Sequence, residues 1–136
     1  NKIDLIENFD PSLPNVSSDK NQLIILFENL IRNALESISI EGGYIKISTF
    51  FYFGEVKNIP NTKKNKSSNF ILIEIEDNGG EIKEEFKDQI FLPFFSTKNK
   101  KGLGLYQAKK IALDNNCEIQ FYSKKNVTIF KIWIPL

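Results

Sequence analysis

The sequence contains no histidine and no methionine, a single cysteine and a single arginine. Without histidine, Ser-His-Asp and Cys-His triads, His-ligated zinc and imidazole general bases are all excluded within this chain. A lone Cys117 rules out an internal disulfide or a cysteine-rich metal site and fits a reducing compartment. It reads as a small, semi-buried residue after a helix. No apolar run approaches the ~18 residues that a membrane helix needs, and the start Asn-Lys-Ile-Asp-Leu lacks the shape of a signal peptide. No direct membrane contact by this segment is expected, and a cytoplasmic location is, whether the parent is soluble or membrane-anchored. The missing methionine points to a fragment of a longer protein.

What is present describes one globular domain spanning residues 1–136. A chain of this length removes roughly two-thirds of its unfolded surface from water. Hydrophobic residues at 41%, charged residues at 26% and a net charge of +1 argue against a polyanion-coating protein, so no nucleic-acid partner is expected.

An edge strand is expected around Lys2 to Glu7, followed by a turn at Pro11 and Pro14. Asp19 with Gln22 offers a capping box, and Leu23, Leu26, Phe27, Leu30, Ile31, Ala34, Leu35 and Ile38 recur at helical spacing. The helix should run about five turns and end at Gly42-Gly43. Tyr44 to Phe53 and Phe70 to Glu76, the latter with Ile71, Ile73 and Ile75 on one face, read as strands of a hairpin. The lysine-rich connection between Gly54 and Asn69 reads as a solvated loop; without interleaved aromatics it makes a poor nucleic-acid arm. A short helix is expected from Ile82 to Ile90, and a second amphipathic helix opening at Gly102-Leu103-Gly104 and reaching Asn115-Asn116. Strands Glu118 to Ser123 and Val127 to Ile134, joined by Lys124-Lys125-Asn126, close the chain. These elements predict an α/β (α+β) two-layer sandwich, with a mostly antiparallel mixed sheet of about five strands against three helices, one of them short. Trp133 and most of the phenylalanines are expected in the core.

Four groups of residues carry possible chemistry. Asn29 and Asn33 are i,i+4 neighbours beside the apolar arc, where two carboxamide oxygens suit magnesium, which takes much of its shell from water and phosphate, or make ordinary side-chain hydrogen bonds. Asp77 closes a strand before Asn78-Gly79-Gly80: a carboxylate there accepts from an exocyclic amine while Gly79 admits a flat ring, or the segment is an Asp-Asn-Gly turn without a ligand. Gly102-Leu103-Gly104 at a helix start supplies bare amides and the positive dipole end that phosphate requires. Lys98, Lys100 and Lys101 add positive charge just before it, as a solvated lysine run also would. The dinucleotide pattern G-x-G-x-x-G fails at Gln107, and no P-loop pattern occurs.

The order Asn29…Asn33, Asp77-x-Gly79, Phe91-x-Pro93-Phe94 and Gly102-x-Gly104-Leu105 resembles the catalytic and ATP-binding domain of bacterial sensor histidine kinases, of the Bergerat fold shared with gyrase-type ATPases. The resemblance covers nearly the whole chain. It implies that Asn29 to Ala34 is the asparagine box, with Asn33 holding magnesium and Asn29 near the phosphates, and that Asp77 recognises the adenine amino group. Phe91 to Lys98 is similar to the phenylalanine box in its short-lid, nitrogen-regulator-like form, with Phe94 and Phe95 over the nucleotide and Thr97 and Lys98 beside it. Gly102, Leu103, Gly104 and Leu105 match the second glycine box that meets the triphosphate, with Lys100 and Lys101 adding charge. Asn29, Asn33 and Lys98 are the implied catalytic residues, and ATP and magnesium the cofactors.

Three departures stand out. Glu81 replaces the last glycine of Asp-x-Gly-x-Gly, Lys100-Lys101 stand where Gly-Thr is frequent, and Glu36 occupies a position where many members carry lysine. Gyrase-type relatives activate water with a glutamate four residues before the magnesium asparagine; here that position is Asn29, and an amide accepts no proton at neutral pH. Transfer to a positioned acceptor is therefore favoured over hydrolysis. Since this chain has no histidine, the acceptor must lie on another segment, and the resemblance implies a helical dimerisation and phosphoacceptor domain of the parent, with a response regulator receiver domain as the further partner. The alternatives are a degenerate, non-catalytic docking module, for which Glu81 is the main support, and a serine kinase of the anti-sigma type.

Overall fold

The computed structural model describes residues 2–39, 41–54, 68–95 and 103–136. The expected lysine-rich loop lies mostly outside them, as do Thr97, Lys98, Lys100, Lys101 and Gly102. The elements are β1 (Asp4–Asn8), α1 (Lys20–Ser37), β2 (Tyr44–Gly54), β3 (Ser68–Asp77), α2 (Gly104–Asp114), β4 (Glu118–Lys124) and β5 (Val127–Pro135). The sheet has the order β1-β2-β3-β5-β4, with β1 parallel to β2 and every other pair antiparallel.

The alternation in β3 sets the two layers. Ile71 and Ile75 are buried toward the helices, where Phe130, Ile132 and Ile134 of β5 join them. On the opposite face Phe70, Leu72 and Trp133 form a second, smaller cluster, so Trp133 is buried on the face away from the helices. Its indole N–H donates to Gln120 Oε1 at 3.0 Å, and Tyr52 meets it edge-on at 4.9 Å. The β4–β5 connection is the expected tight turn, with Lys125 and Asn126 both at positive φ.

Leu23, Leu26, Leu30 and Ala34 of α1 are buried, and Ala108 and Ala112 of α2 are fully buried small residues that let the two helices approach closely. Leu35, expected in the apolar arc, is 45% exposed, because that arc is wider than the face which α2 and the sheet cover. Two further corrections concern helix ends. Asp19 caps α1 through Gln22 N at 3.1 Å, but the capping box does not close on itself. Asn115, at the end of α2, donates to Gln22 Oε1 at 2.7 Å and accepts from Asp19 N at 3.2 Å, so the far helix completes the cap. The C-terminus comes at Ser37 rather than at Gly42-Gly43, because Ile38 turns extended and buries its side chain. Gly42, at φ 79°, serves instead as the turn into β2.

The expected third helix, Ile82 to Ile90, is one 3-10 turn, Glu84–Phe86, leaving two α-helices among the described residues. Hydrogen bonds from Phe86 N to Lys83 O, Gln89 N to Phe86 O and Leu92 N to Gln89 O continue as separate i→i+3 turns. Tertiary anchors override the helical spacing: Ile82 N donates to Ser123 Oγ at 2.7 Å, and Ile82, Phe86, Ile90 and Phe91 all reach the core. The Asn115→Ala variant is expected to lose about 1–2 kcal/mol of unfolding free energy in urea with an unchanged m-value, since it strips Asp19 N and Gln22 Oε1 of their partner and unties α1 from α2.

Candidate functional site

Asn29, Asn33 and Ser37 recur every fourth residue along one side of α1, so one helix face carries all three. Two such intervals at 1.5 Å per residue span roughly 12 Å. Different parts of the sheet and of α2 meet the two ends of this row.

At the far end stands Asp77, the last residue of β3 and only 2% exposed. Its Oδ1 accepts from Gly79 N at 3.0 Å and lies 3.0 Å from the Ser37 hydroxyl, which shares its one proton with Ala34 O at 2.8 Å. A side chain on Gly79 is impossible in this arrangement, because its Cβ would come within 2.5 Å of Ser37 Oγ and 2.6 Å of the Ser37 carbonyl. Asn78 accepts from Tyr44 N at 2.8 Å and thereby ties the same turn to the start of β2. The glycine expected to admit a flat ring thus also admits the last turn of α1.

At the near end Asn29 is 8% exposed, and its Nδ2 donates to Gln107 Oε1 at 3.1 Å. Gly104 lies alongside: a Cβ there would sit 3.5 Å from Asn29 Oδ1, at ordinary contact distance. Gly104 opens α2, whose N-cap residue Leu103 contributes no side-chain hydrogen bond and whose first turn carries no acidic residue. The first-turn amides therefore present positive partial charge with no carboxylate in that turn. Leu105 packs against the core and Leu103 stays exposed. Asn33, half-buried, lies between the two ends. The structure thus brings Asn29 and Gly104 together at one end and Asp77 and Gly79 at the other.

The phenylalanine-rich segment divides its roles. Phe91 packs edge-on against Phe121 and Phe130, with Lys109 Nζ 5.4 Å over its ring, and Phe95 stacks at 5.5 Å on Phe86 against the core. Phe94, at φ 65° and 76% exposed, is the one expected nucleotide-covering ring of this segment that stays outside the core.

Glu81 does not point along the row. Its Oε2 accepts from Lys125 N at 2.9 Å, which directs the carboxylate to the β4–β5 turn. A shallow groove of about 490 Å³ on that side, lined by residues including Glu81, Ile82, Tyr122 and Lys124, contains none of the expected nucleotide residues. Burial pushes the Cys117 thiol up to about 11, so it stays protonated and poorly nucleophilic at neutral pH. No cluster of three or more His, Cys, Asp or Glu residues fit to hold a metal occurs among the described residues.

Two partners escaped the sequence reading. Ser37 carried a signal, being eight residues after Asn29 on the same face; Gln107 stood out only as the residue that breaks the dinucleotide pattern.

A sequence profile for the family described as "Histidine kinase-, DNA gyrase B-, and HSP90-like ATPase" matches residues 18–136. The chain is 37% identical over 137 residues to the sensory histidine kinase/phosphatase NtrB of Azospirillum brasilense, covering 98% of this chain and 34% of that protein. It is 31% identical over 138 residues to the protein of the same name from Escherichia coli O157:H7, covering 97% of this chain and 37% of that one. It therefore spans about a third of the length of these curated relatives. Among solved structures, the catalytic domain of histidine kinase ThkA in a nucleotide-free form matches with a TM-score of 0.73 and 29% identity, over 98% of this chain and 78% of that one. The mycobacterial sensor histidine kinase MprB, at TM-score 0.76 and 18% identity over 98% of this chain and 83% of its own, shares the fold.

Two outcomes follow from this geometry. Gly79→Ala should lower stability by about 1–3 kcal/mol in thermal or urea unfolding, because the added methyl collides with the Ser37 backbone. Glu81→Gly should leave the affinity for a non-hydrolysable ATP analogue within about twofold in calorimetry, since the carboxylate it removes faces Lys125.

Proposed function

Because the chain belongs to the histidine kinase-, DNA gyrase B- and HSP90-like ATPase family, we propose that it binds magnesium-ATP along α1 and donates the γ-phosphoryl group to a histidine on a separate domain of an NtrB-like sensor histidine kinase. The observation that carries this reading is the single row from Asp77 to Gly104, with a buried carboxylate at one end, an uncapped helix start at the other and two carboxamides between.

In this reading the Asp77 carboxylate accepts from the adenine amino group beside the Gly79 backbone, which fixes the base. The amides of Leu103, Gly104 and Leu105 receive the phosphates at the positive end of α2. Asn33 holds the magnesium ion with Asn29 next to it, and Phe94 covers the nucleotide. Thr97, Lys98, Lys100, Lys101 and Gly102 are assigned to the phosphates on motif alone, and Phe95 supports the segment from beneath. Bound magnesium supplies neutralisation of the charge that develops on the transferred phosphoryl group. What the chain's own residues contribute is alignment of the phosphoryl group with its acceptor and exclusion of alternative geometries.

Water is a poor competitor at this site. The position from which a carboxylate would take its proton is Asn29, and the adjacent Glu28 is exposed, about 100° around the helix. Because this chain has no histidine, the acceptor imidazole lies on another segment of the parent, in a helical dimerisation and phosphoacceptor domain, and a response regulator receiver domain takes the group next. The name of the NtrB relatives favours a histidine acceptor over the serine acceptor of an anti-sigma kinase. The degenerate docking module loses its main support once the Glu81 carboxylate engages the β4–β5 turn.

The test is autophosphorylation of the full-length parent kinase carrying Asn33→Ala. Loss of phosphohistidine by about a hundredfold or more is expected, equivalent to roughly 2.7 kcal/mol of transition-state stabilisation. Wild-type rates would contradict the assignment of the metal ligand.

A further inference from the structure

Gln107 is the residue at which the dinucleotide pattern breaks, and nothing in the nucleotide reading requires it. It stands one turn into α2, with its backbone N–H donating to Leu103 O at 2.8 Å, and its side chain crosses to α1 to accept from Asn29 Nδ2 at 3.1 Å. A carboxamide as buried as that of Asn29 needs a partner for its N–H, and it presents two chemically opposite ends, an oxygen that only accepts and an NH2 that only donates. Whichever end Gln107 occupies decides which end is left toward Gly104. With the NH2 engaged, the oxygen faces the start of α2, 3.5 Å from the place a Cβ would take on Gly104.

We propose that Gln107 is a positioning residue that locks the Asn29 carboxamide oxygen-outward, so that this end of the site accepts a cation-bearing triphosphate and disfavours a bare one. The inference rests on the nucleotide reading above and goes beyond it by assigning the sign of the Asn29 contact. An oxygen lone pair beside the first turn of α2 repels phosphate oxygens unless a divalent cation lies between them; an NH2 in the same place would donate to phosphate with or without the cation. Gln107 therefore acts on the magnesium dependence of binding, through Asn29, without itself touching the nucleotide.

The quantity to measure is a ratio: the dissociation constant of a non-hydrolysable ATP analogue without magnesium divided by that with magnesium, by calorimetry on this chain. Gln107 is exposed on α2, and both leucine and glutamate are good helix formers, so Gln107→Leu and Gln107→Glu preserve the helix. Gln107→Leu frees the amide to turn and should lower the ratio about tenfold, the usual size of an effect from a residue that orients a metal ligand. Gln107→Glu can only accept, holds Asn29 as Gln107 does, and should keep the ratio at or above its original value. Thermal unfolding without nucleotide provides the control, because a purely structural role would move the melting temperature and both affinities together and leave the ratio unchanged.

An unchanged ratio in Gln107→Leu overturns the proposal. So does a ratio that falls in Gln107→Glu as far as in Gln107→Leu, since accepting from Asn29 would then not be what Gln107 contributes; a ratio that rises in Gln107→Glu and does not fall in Gln107→Leu overturns it too, since Gln107 would then act by donating, with Asn29 turned the other way. If the unaltered chain binds the analogue but gains nothing from magnesium, the magnesium-ATP reading fails and the Gln107 assignment with it; if that gain is present and only the variants disagree, the nucleotide reading stands and Gln107 alone is wrongly assigned.

Discussion

The Asp77 carboxylate is removed almost completely from water, and the rest of the site is arranged around satisfying it. The hydroxyl of Ser37 and the amide of Gly79 both lie within hydrogen-bonding distance of one of its oxygens, so the end of α1 and the end of β3 are held to the same atom. This requires Gly79 to press against the Ser37 backbone so closely that no side chain fits. Tyr44 N on Asn78 then brings the start of β2 to the same turn. One buried oxygen thus fixes where the sheet ends, where the helix stops and where the row of carboxamides begins.

The opposite end of α1 is held by a different device with the same consequence. Asn115 satisfies both Asp19 and Gln22, so the N-terminus of α1 and the C-terminus of α2 are joined, while Gln107 ties Asn29 to the first turn of α2. Between these points Leu26, Leu30, Ala108 and Ala112 close without room for misalignment. The Lys109–Glu118 ion pair at 2.5 Å attaches α2 to β4. A helix pinned at three heights is a rigid ruler, and a nucleotide site benefits from that rigidity because in-line transfer depends on alignment more than on any acid or base.

Much of this was legible in the sequence wherever local pattern and tertiary demand agree. The alternation of Ile71, Ile73 and Ile75, the Asp19 cap and the Lys124-Lys125-Asn126 turn each point to the element the structure contains. Misreadings arose where a distant residue decides. The segment after Gly80 has helical spacing, yet Ser123 and the core under Phe91 hold it as separate turns. Gln22 invites a local capping box, yet Asn115 takes its side chain. Glu81 follows two glycines in sequence, and only the fold brings the Lys125 amide within its reach. For the site itself the ordered motifs name Asn29, Asn33, Asp77, Gly79 and Gly104, and the structure brings Asn29 to Gly104 and Asp77 to Gly79 at the two ends of one row with Asn33 between them. Ser37 and Gln107 are partners that no motif names, since their significance is a contact across 40 residues in one case and 78 in the other.

The central claim is that a nucleotide lies along α1 between Asp77 and Gly104, and amide chemical-shift mapping by nuclear magnetic resonance tests it most directly. On addition of a magnesium-bound, non-hydrolysable ATP analogue to this chain, the largest shifts should fall on Asn29, Asn33 and Ser37 of α1, on Gly79, and on Gly104 to Tyr106. Shifts concentrated instead on Glu81, Tyr122 and Lys124 along the β4 groove, or none at millimolar nucleotide, would contradict the account.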